Sequence, residues 1–194
     1  MRLFSNTKKI NSFITHFICL FILQINQLRI CRDMWDAAEK GYLSALKFYY
    51  KKNPSKINDP RASSYNHTPL HIGVINCHIE IVKFLIFKTA EIDKRDSLGR
   101  TPLMYASEMG FLDIMKFLLN NNAFIKYKNS KNETALHRAI QGHQEEAVLL
   151  LFHRDANRDF QRYDSCSPIQ FAKNMGNRIS IIKILSQPRP DNDD

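Results

Sequence analysis

The sequence predicts an all-α protein: a solenoid of about five stacked helix-turn-helix units with β-turns at the loop tips. Three observations predict it. A stretch beginning His67-Thr-Pro-Leu-His returns 33 residues later from Arg100 and again from Glu133, and self-similarity at such a period marks a repeat architecture before it marks any chemistry. Within the copies, apolar residues recur at helical spacing, as in Ile81/Val82/Leu85 and Ile114/Met115/Leu118. Such a stripe needs an adjacent unit to cover it. Hydroxyl residues, prolines and glycines fall at fixed offsets between the helical stretches, where caps and turns require them.

The elements follow in order. Residues 1–33 differ from the rest, with a basic start (Arg2, Lys8, Lys9) leading into an apolar run from Phe13 to Leu23. Eleven residues are too few to span a hydrocarbon core, which takes about twenty. The run suits a signal-peptide core in length, but no small-residue cleavage site follows it. Three readings stay open: a loosely docked helical extension, a membrane anchor or targeting segment within residues 8–30, and a secretory signal. Met34 stands at the head of the first repeat-like segment and is a candidate initiator.

From Met34 the chain reads in register, with units expected at 34–66, 67–99, 100–132, 133–165 and 166–186. Met34–Gly41 forms a first helix, and Tyr42–Tyr50 a second with Leu43, Leu46 and Tyr50 on one face; Asn53-Pro54 then breaks it. The next loop is three residues longer than later ones, since Gly41 to Cys77 is 36 and Cys77 to Gly110 is 33. Thr68, Thr101, Thr134 and Ser167 stand where a hydroxyl caps a helix. Pro69, Pro102 and Pro168 follow at the first helical position, with Ala135 as the exception. Gly73, Ala106, Ala139 and Ala172 are small, which predicts close approach of neighbouring units. Residues 187–194 form a polar, proline-broken tail expected to be disordered.

Thr-Pro-Leu-His at 68–71, Glu-Ile-Val-Lys-Phe-Leu at 80–85 and Asp96-x-x-Gly-x-Thr-Pro-Leu at 96–103 closely resemble the ankyrin repeat. The resemblance covers residues 34–186. It implies a non-catalytic protein-binding module, an adaptor or scaffold, and a structural hydrogen bond between each histidine of the Thr-Pro-Leu-His column (His71, His137) and its capping threonine. The departures predict strain. The turn column reads Gly41, Cys77, Gly110, His143, Gly176, and the exit-loop column Thr89, Asn122, Asp155. Glycine is favoured where φ is positive, Asn and Asp tolerate it, and Thr tolerates it poorly. The second unit is therefore expected to be the weakest joint, with hydrogen exchange concentrated at residues 53–66 and 76–79.

Composition bounds the function. With 194 residues, 44% of them hydrophobic and 24% charged, the chain reads as an ordinary soluble domain or short array. Residues 1–33 carry five of the 28 basic residues and one of the 19 acids, so the remainder has 23 − 18 = +5 of the net +9. Four cysteines without framework spacing point to a reducing compartment, cytoplasmic or nuclear. The six glycines form no nucleotide-binding pattern, Cys77-His78 with His71 lacks the spacing of a metal site, and no nucleophile stands with a base. No cofactor, metal or catalytic residue is expected; Cys166 reads as an unremarkable free thiol.

What remains is surface. The resemblance implies a concave face built from loop tips and the exposed side of the first helices. On this chain the expected contact residues are Tyr65 and His67, Leu98 and Arg100, Lys131 and Glu133, and Tyr163 and Asp164 at the tips. Asn76, Glu108, Met109, Gln141 and Asn174 join them at the helix ends. Exposed aromatics on such a face are expected to be its energetic anchors. A basic stripe including Lys94, Arg95, Lys126, Lys128 and Arg158 is expected to steer an acidic protein partner, with interleaved acids weakening the field. Nucleic acid is disfavoured because only Tyr127 and Tyr163 could stack with bases. The chain is expected to be monomeric, with a membrane-tethered adaptor and the targeting subunit of an enzyme complex as the alternatives.

Overall fold

A computed structural model describes residues 18, 20, 22, 23, 25–28, 30–62, 65–154, 166–176 and 179–187. Helices come in antiparallel pairs: α1 (Met34–Lys40) with α2 (Leu43–Lys52), α3 (Pro69–Ile75) with α4 (Ile79–Phe87), α5 (Pro102–Met109) with α6 (Leu112–Asn120), α7 (Ala135–Gln141) with α8 (Glu145–His153), and α9 (Pro168–Asn174) with α10 (Ile179–Ser186). A short 3₁₀ turn, Pro54–Asn58, follows α2. The first helices stack on one side, α1, α3, α5, α7, α9, and the second helices stack behind them.

Capping starts α3, α5 and α9 where the hydroxyl column predicts, and Asp33 caps α1. Thr68 accepts the backbone N–H of His71, Thr101 that of Met104, and Ser167 that of Gln170. The first helices are buried nearly all round: Leu70, His71, Gly73 and Val74, then Leu103, Met104, Ala106 and Ser107, are each at most 1% exposed or buried outright. Second helices bury one stripe, Ile81/Val82/Leu85, Ile114/Met115/Leu118 and Ala147/Val148/Leu151. In the last pair the stripe is Ile181 and Leu185, while Ile182 is half-buried. Gly73 corrects one expectation. A Cβ there would meet Ile81 Cγ2 at 2.9 Å, so its smallness admits the second helix of its own unit rather than a neighbour.

Helix ends follow one geometry. Thr89 N–H donates to Ile86 O and Ala90 N–H to Leu85 O; Asn122 and Ala123 repeat this with Leu119 and Leu118. First helices do the same through Cys77/His78 and His143/Gln144. This is the Schellman arrangement, which needs a left-handed residue at its centre. Cys77 (φ 58°), Thr89 (62°), Asn122 (65°) and His143 (55°) are held in that conformation beside Gly41 (72°), Gly110 (71°) and Gly176 (63°). The column read from the sequence is a column of backbone geometry.

Packing begins before Met34. Cys31 is 3% exposed, its carbonyl accepts the Tyr49 hydroxyl at 2.6 Å, and Gln27 bonds Ser44. The described residues between 18 and 30 are helical, and no described helix is long and apolar enough to cross a membrane. Residues 188–194 of the expected disordered tail, and Asp155 of the exit-loop column, lie outside the described residues.

Candidate interaction surface

The loop tips are built on a shared turn. Asp96 N–H donates to Arg100 O at 2.9 Å, and Asn129 N–H to Glu133 O at 2.9 Å; Arg61 N–H reaches His67 O at 2.8 Å in the same way. The Asp96 and Asn129 side chains close these turns by accepting backbone N–H groups: Leu98 and Arg100 on Asp96, Lys131 and Glu133 on Asn129. Asx residues stabilise turns in this way. Successive tips are joined by backbone bonds, Ser97 N–H to Tyr65 O and Ser130 N–H to Leu98 O, both 2.9 Å. The tips thus form one continuous edge whose backbone has little freedom left to lose on docking.

Beneath the first and second tips lies a buried polar cluster. The Tyr105 hydroxyl donates to Asp96 Oδ2 at 2.7 Å, and His67 Nε2 lies 2.9 Å from that hydroxyl and 3.5 Å from Asp96. Burial opposes charge on Asp96. Hydrogen bonds from His67, Tyr105 and the N–H groups of Arg100 and Leu98 outweigh it and hold the carboxyl well below the usual range. Burial and the bond to Asp96 push the Tyr105 phenol up. Arg100 lies over the Tyr105 ring, 4.9 Å from its centroid.

The histidine column joins units. Thr68 N–H donates to His71 Nδ1, so the ring proton sits on Nε2, which faces the Arg100 carbonyl of the next unit at 3.2 Å. Burial lowers the His71 pKa to about 4, which keeps it neutral. At His137 the Thr134 N–H donates to Nδ1 at 3.2 Å. The bond implied by the resemblance is present in both copies.

Two expected contact residues are interior, and the structure corrects them. His67 is 8% exposed and belongs to the Asp96–Tyr105 cluster. Glu133 is 2% exposed; it accepts from Asn129 Nδ2 and lies 3.4 Å from Arg138. Both carry polar atoms that the neighbouring unit satisfies, so neither is free to meet a partner. Arg138 was absent from the sequence reading. It is almost fully buried, pairs with Glu108 and donates to Gln141 at 2.6 Å. The available signal was a charged residue inside the otherwise apolar Ala135–Ile140 run.

Tyr65, Asn76, Met109, Lys131 and Asn174 are exposed, and Leu98, Arg100, Glu108 and Gln141 are half-buried. Tyr163 and Asp164 lie outside the described residues. Two grooves gather most of the accessible set. One, about 220 Å³, is lined by Leu98, Arg100, Ser130, Lys131, Arg138 and Gln141 together with Asn129 and Glu133. The other, about 350 Å³, has an apolar floor of Ile72 and Ile75, the Glu39–Arg61 ion pair and Asn76 along its sides, and Tyr65 at its lip. Among the described residues no group of three metal-ligating side chains is placed to hold an ion.

Comparison with known proteins agrees with this geometry. A family profile described as ankyrin repeats (3 copies) matches residues 34–129 and 76–164. The ankyrin repeat protein FPV223 of fowlpox virus is 30% identical over 123 residues, which is 63% of this chain and 84% of that one. A second fowlpox protein, FPV031, is 30% identical over 117 residues, 59% of this chain but 34% of its own length. The mouse ankyrin repeat and SAM domain-containing protein 6 is 31% identical over 104 residues, 53% of this chain and 12% of its own length. Repeat period, capping, turn geometry and sequence agree: the chain belongs to the ankyrin repeat family.

Proposed function

We propose that the chain acts as a protein-binding adaptor or scaffold whose concave face, from Tyr65 to Gln141, receives a partner protein. Ankyrin repeats are in general protein–protein interaction modules. The observation that carries the reading is the pair of grooves between tips and first helices, one with Tyr65 at its lip (62% exposed) and one with Arg100 and Lys131 on its wall. An exposed aromatic beside an apolar floor is the arrangement typical of binding hot spots. The cations suit a partner with acidic side chains and would raise its rate of encounter. The chain's own chemistry is passive: a rigid edge presents side chains and transfers no group.

A photo-crosslinking residue placed at Tyr65 or Lys131 tests this against one placed at Phe87, which is 78% exposed on the second-helix side. Crosslinks to the same polypeptide are expected from Tyr65 and Lys131 and not from Phe87. Capture from Phe87 alone would place the binding surface on the opposite side. Tyr65→Ala should weaken capture while leaving the melting temperature within a degree or two, roughly what a surface substitution costs.

A further inference from the structure

The first-unit end of the array carries a different surface. Residues 1–58 hold 10 of the 28 basic residues and three of the 19 acids, a net of 10 − 3 = +7, leaving 18 − 16 = +2 for residues 59–194. Tyr42 to Asn58 contains four lysines and no acid. Lys47, Lys51, Lys52 and Lys56 are all exposed along α2 and the 3₁₀ turn. The described residues from 18 to 30 are helical and are tied to α2 through Gln27 to Ser44, just before the Cys31 carbonyl accepts the Tyr49 hydroxyl. Leu28 packs on the core, but Ile18, Leu20, Ile22, Leu23 and Ile30 are each about half-exposed, Ile25 is 36% exposed, and Phe48 of α2 is 49% exposed.

Where α1 meets the end of α2 lies a cavity of about 170 Å³, lined by Arg32, Lys52 and Lys56 with Met34, Trp35, Tyr49 and Asn53. Asp33 also lines it, but its carboxylate accepts the Asp36 N–H as the cap of α1. Three cations therefore line a small cleft at the same end of the array that carries the exposed aliphatic side chains.

We propose that this end of the array docks on an anionic lipid surface. Aliphatic side chains enter the headgroup–acyl boundary, the lysines lie at the level of the phosphates, and the Arg32–Lys52–Lys56 cleft takes a headgroup phosphate. Membrane attachment of this kind needs both signals, because one short apolar element binds only marginally without a basic patch beside it. Single-stranded nucleic acid binds through cations and aromatic faces and would leave the exposed Ile18, Leu20, Ile22 and Leu23 in water. A second copy would press one strongly positive face against another. The attachment is interfacial, since no described helix is long enough to cross, and it is independent of the concave-face reading.

Flotation of the full chain with vesicles tests it, using phosphatidylcholine alone and phosphatidylcholine mixed with phosphatidylserine. Binding is expected to the mixed vesicles, falling as salt rises, and only weakly to the neutral ones. Each lysine near such a surface contributes about fivefold in partitioning, so Lys51→Gln/Lys52→Gln/Lys56→Gln together should lower it about a hundredfold. Ile22→Asp/Ile25→Asp should abolish flotation while circular dichroism and the Tyr65 crosslink are retained. Absence of binding to either vesicle, or equal binding to both, would overturn the proposal. So would binding of a single-stranded oligonucleotide without flotation, or a dimer dispersed by Ile22→Asp/Ile25→Asp in a chain that does not float.

Discussion

Replacing Thr89 with glycine should stabilise the array. Thr89 is β-branched, exposed, and held at φ 62° by a bond from its own N–H to Ile86 O and one from Ala90 N–H to Leu85 O. Both bonds are made by backbone, so the substitution keeps them. A non-glycine residue in the left-handed region costs about 1–2 kcal/mol, more for a branched side chain. Glycine gives back about 0.5–1 kcal/mol through the entropy it loses on folding. The net expectation is a gain of roughly 0.5–1.5 kcal/mol, and for an array of this size each kcal/mol raises the melting temperature by about 2–4 °C. Asn122→Gly is the control: Asn122 occupies the same position in the next unit at φ 65°, and asparagine tolerates that conformation, so its change should be near zero. Calorimetry and urea titration measure both, with the urea slope unchanged if only stability moves. A Thr89→Gly variant no more stable than Asn122→Gly would refute the argument that backbone strain, rather than side-chain contact, governs these turns.

Two further outcomes follow from the buried chemistry. His71 has a folded pKa of about 4 against an ordinary 6.5; its contribution is therefore full above pH 6.5 and lost as pH falls toward 4, where the unfolded chain takes up a proton that the folded one refuses. At about 1.36 kcal/mol per pH unit this amounts to roughly 3 kcal/mol, and His71→Gln should flatten the stability profile over that window when urea titrations are run at several pH values. Gly142→Ala sets two effects against each other. At its φ of −77° alanine fits the backbone and, by restricting the unfolded chain, favours folding by about 0.4–1 kcal/mol, but its Cβ would clash with the Glu108 carbonyl oxygen of the preceding unit, and overpacking typically costs about 1–3 kcal/mol. With backbone on the other side of the contact sterics should win, and thermal melting should fall by several degrees.

The repeat, its caps and its turns were legible in the sequence because each depends on local backbone chemistry. A hydroxyl at Thr68 or Ser167 caps the helix that follows it, and whatever residue stands at position 77, 89 or 143 must adopt the conformation that closes the helix before it. Those requirements recur at a fixed interval, so one chain displays them several times over. Which side chains face a partner was decided only by tertiary structure. His67 and Glu133 stand at the expected tip positions, yet Tyr105, 38 residues from His67, and Arg138, on the helix that follows Glu133, draw both inward. Gly142 was unremarkable until Glu108 of another unit came against it. The lysines of α2 could be counted in the sequence, but that Gln27 is tied to Ser44 beside them was decided by the structure. Exposure belongs to the stacking of units rather than to any one of them: a side chain is buried or free according to what the neighbouring repeat sets against it.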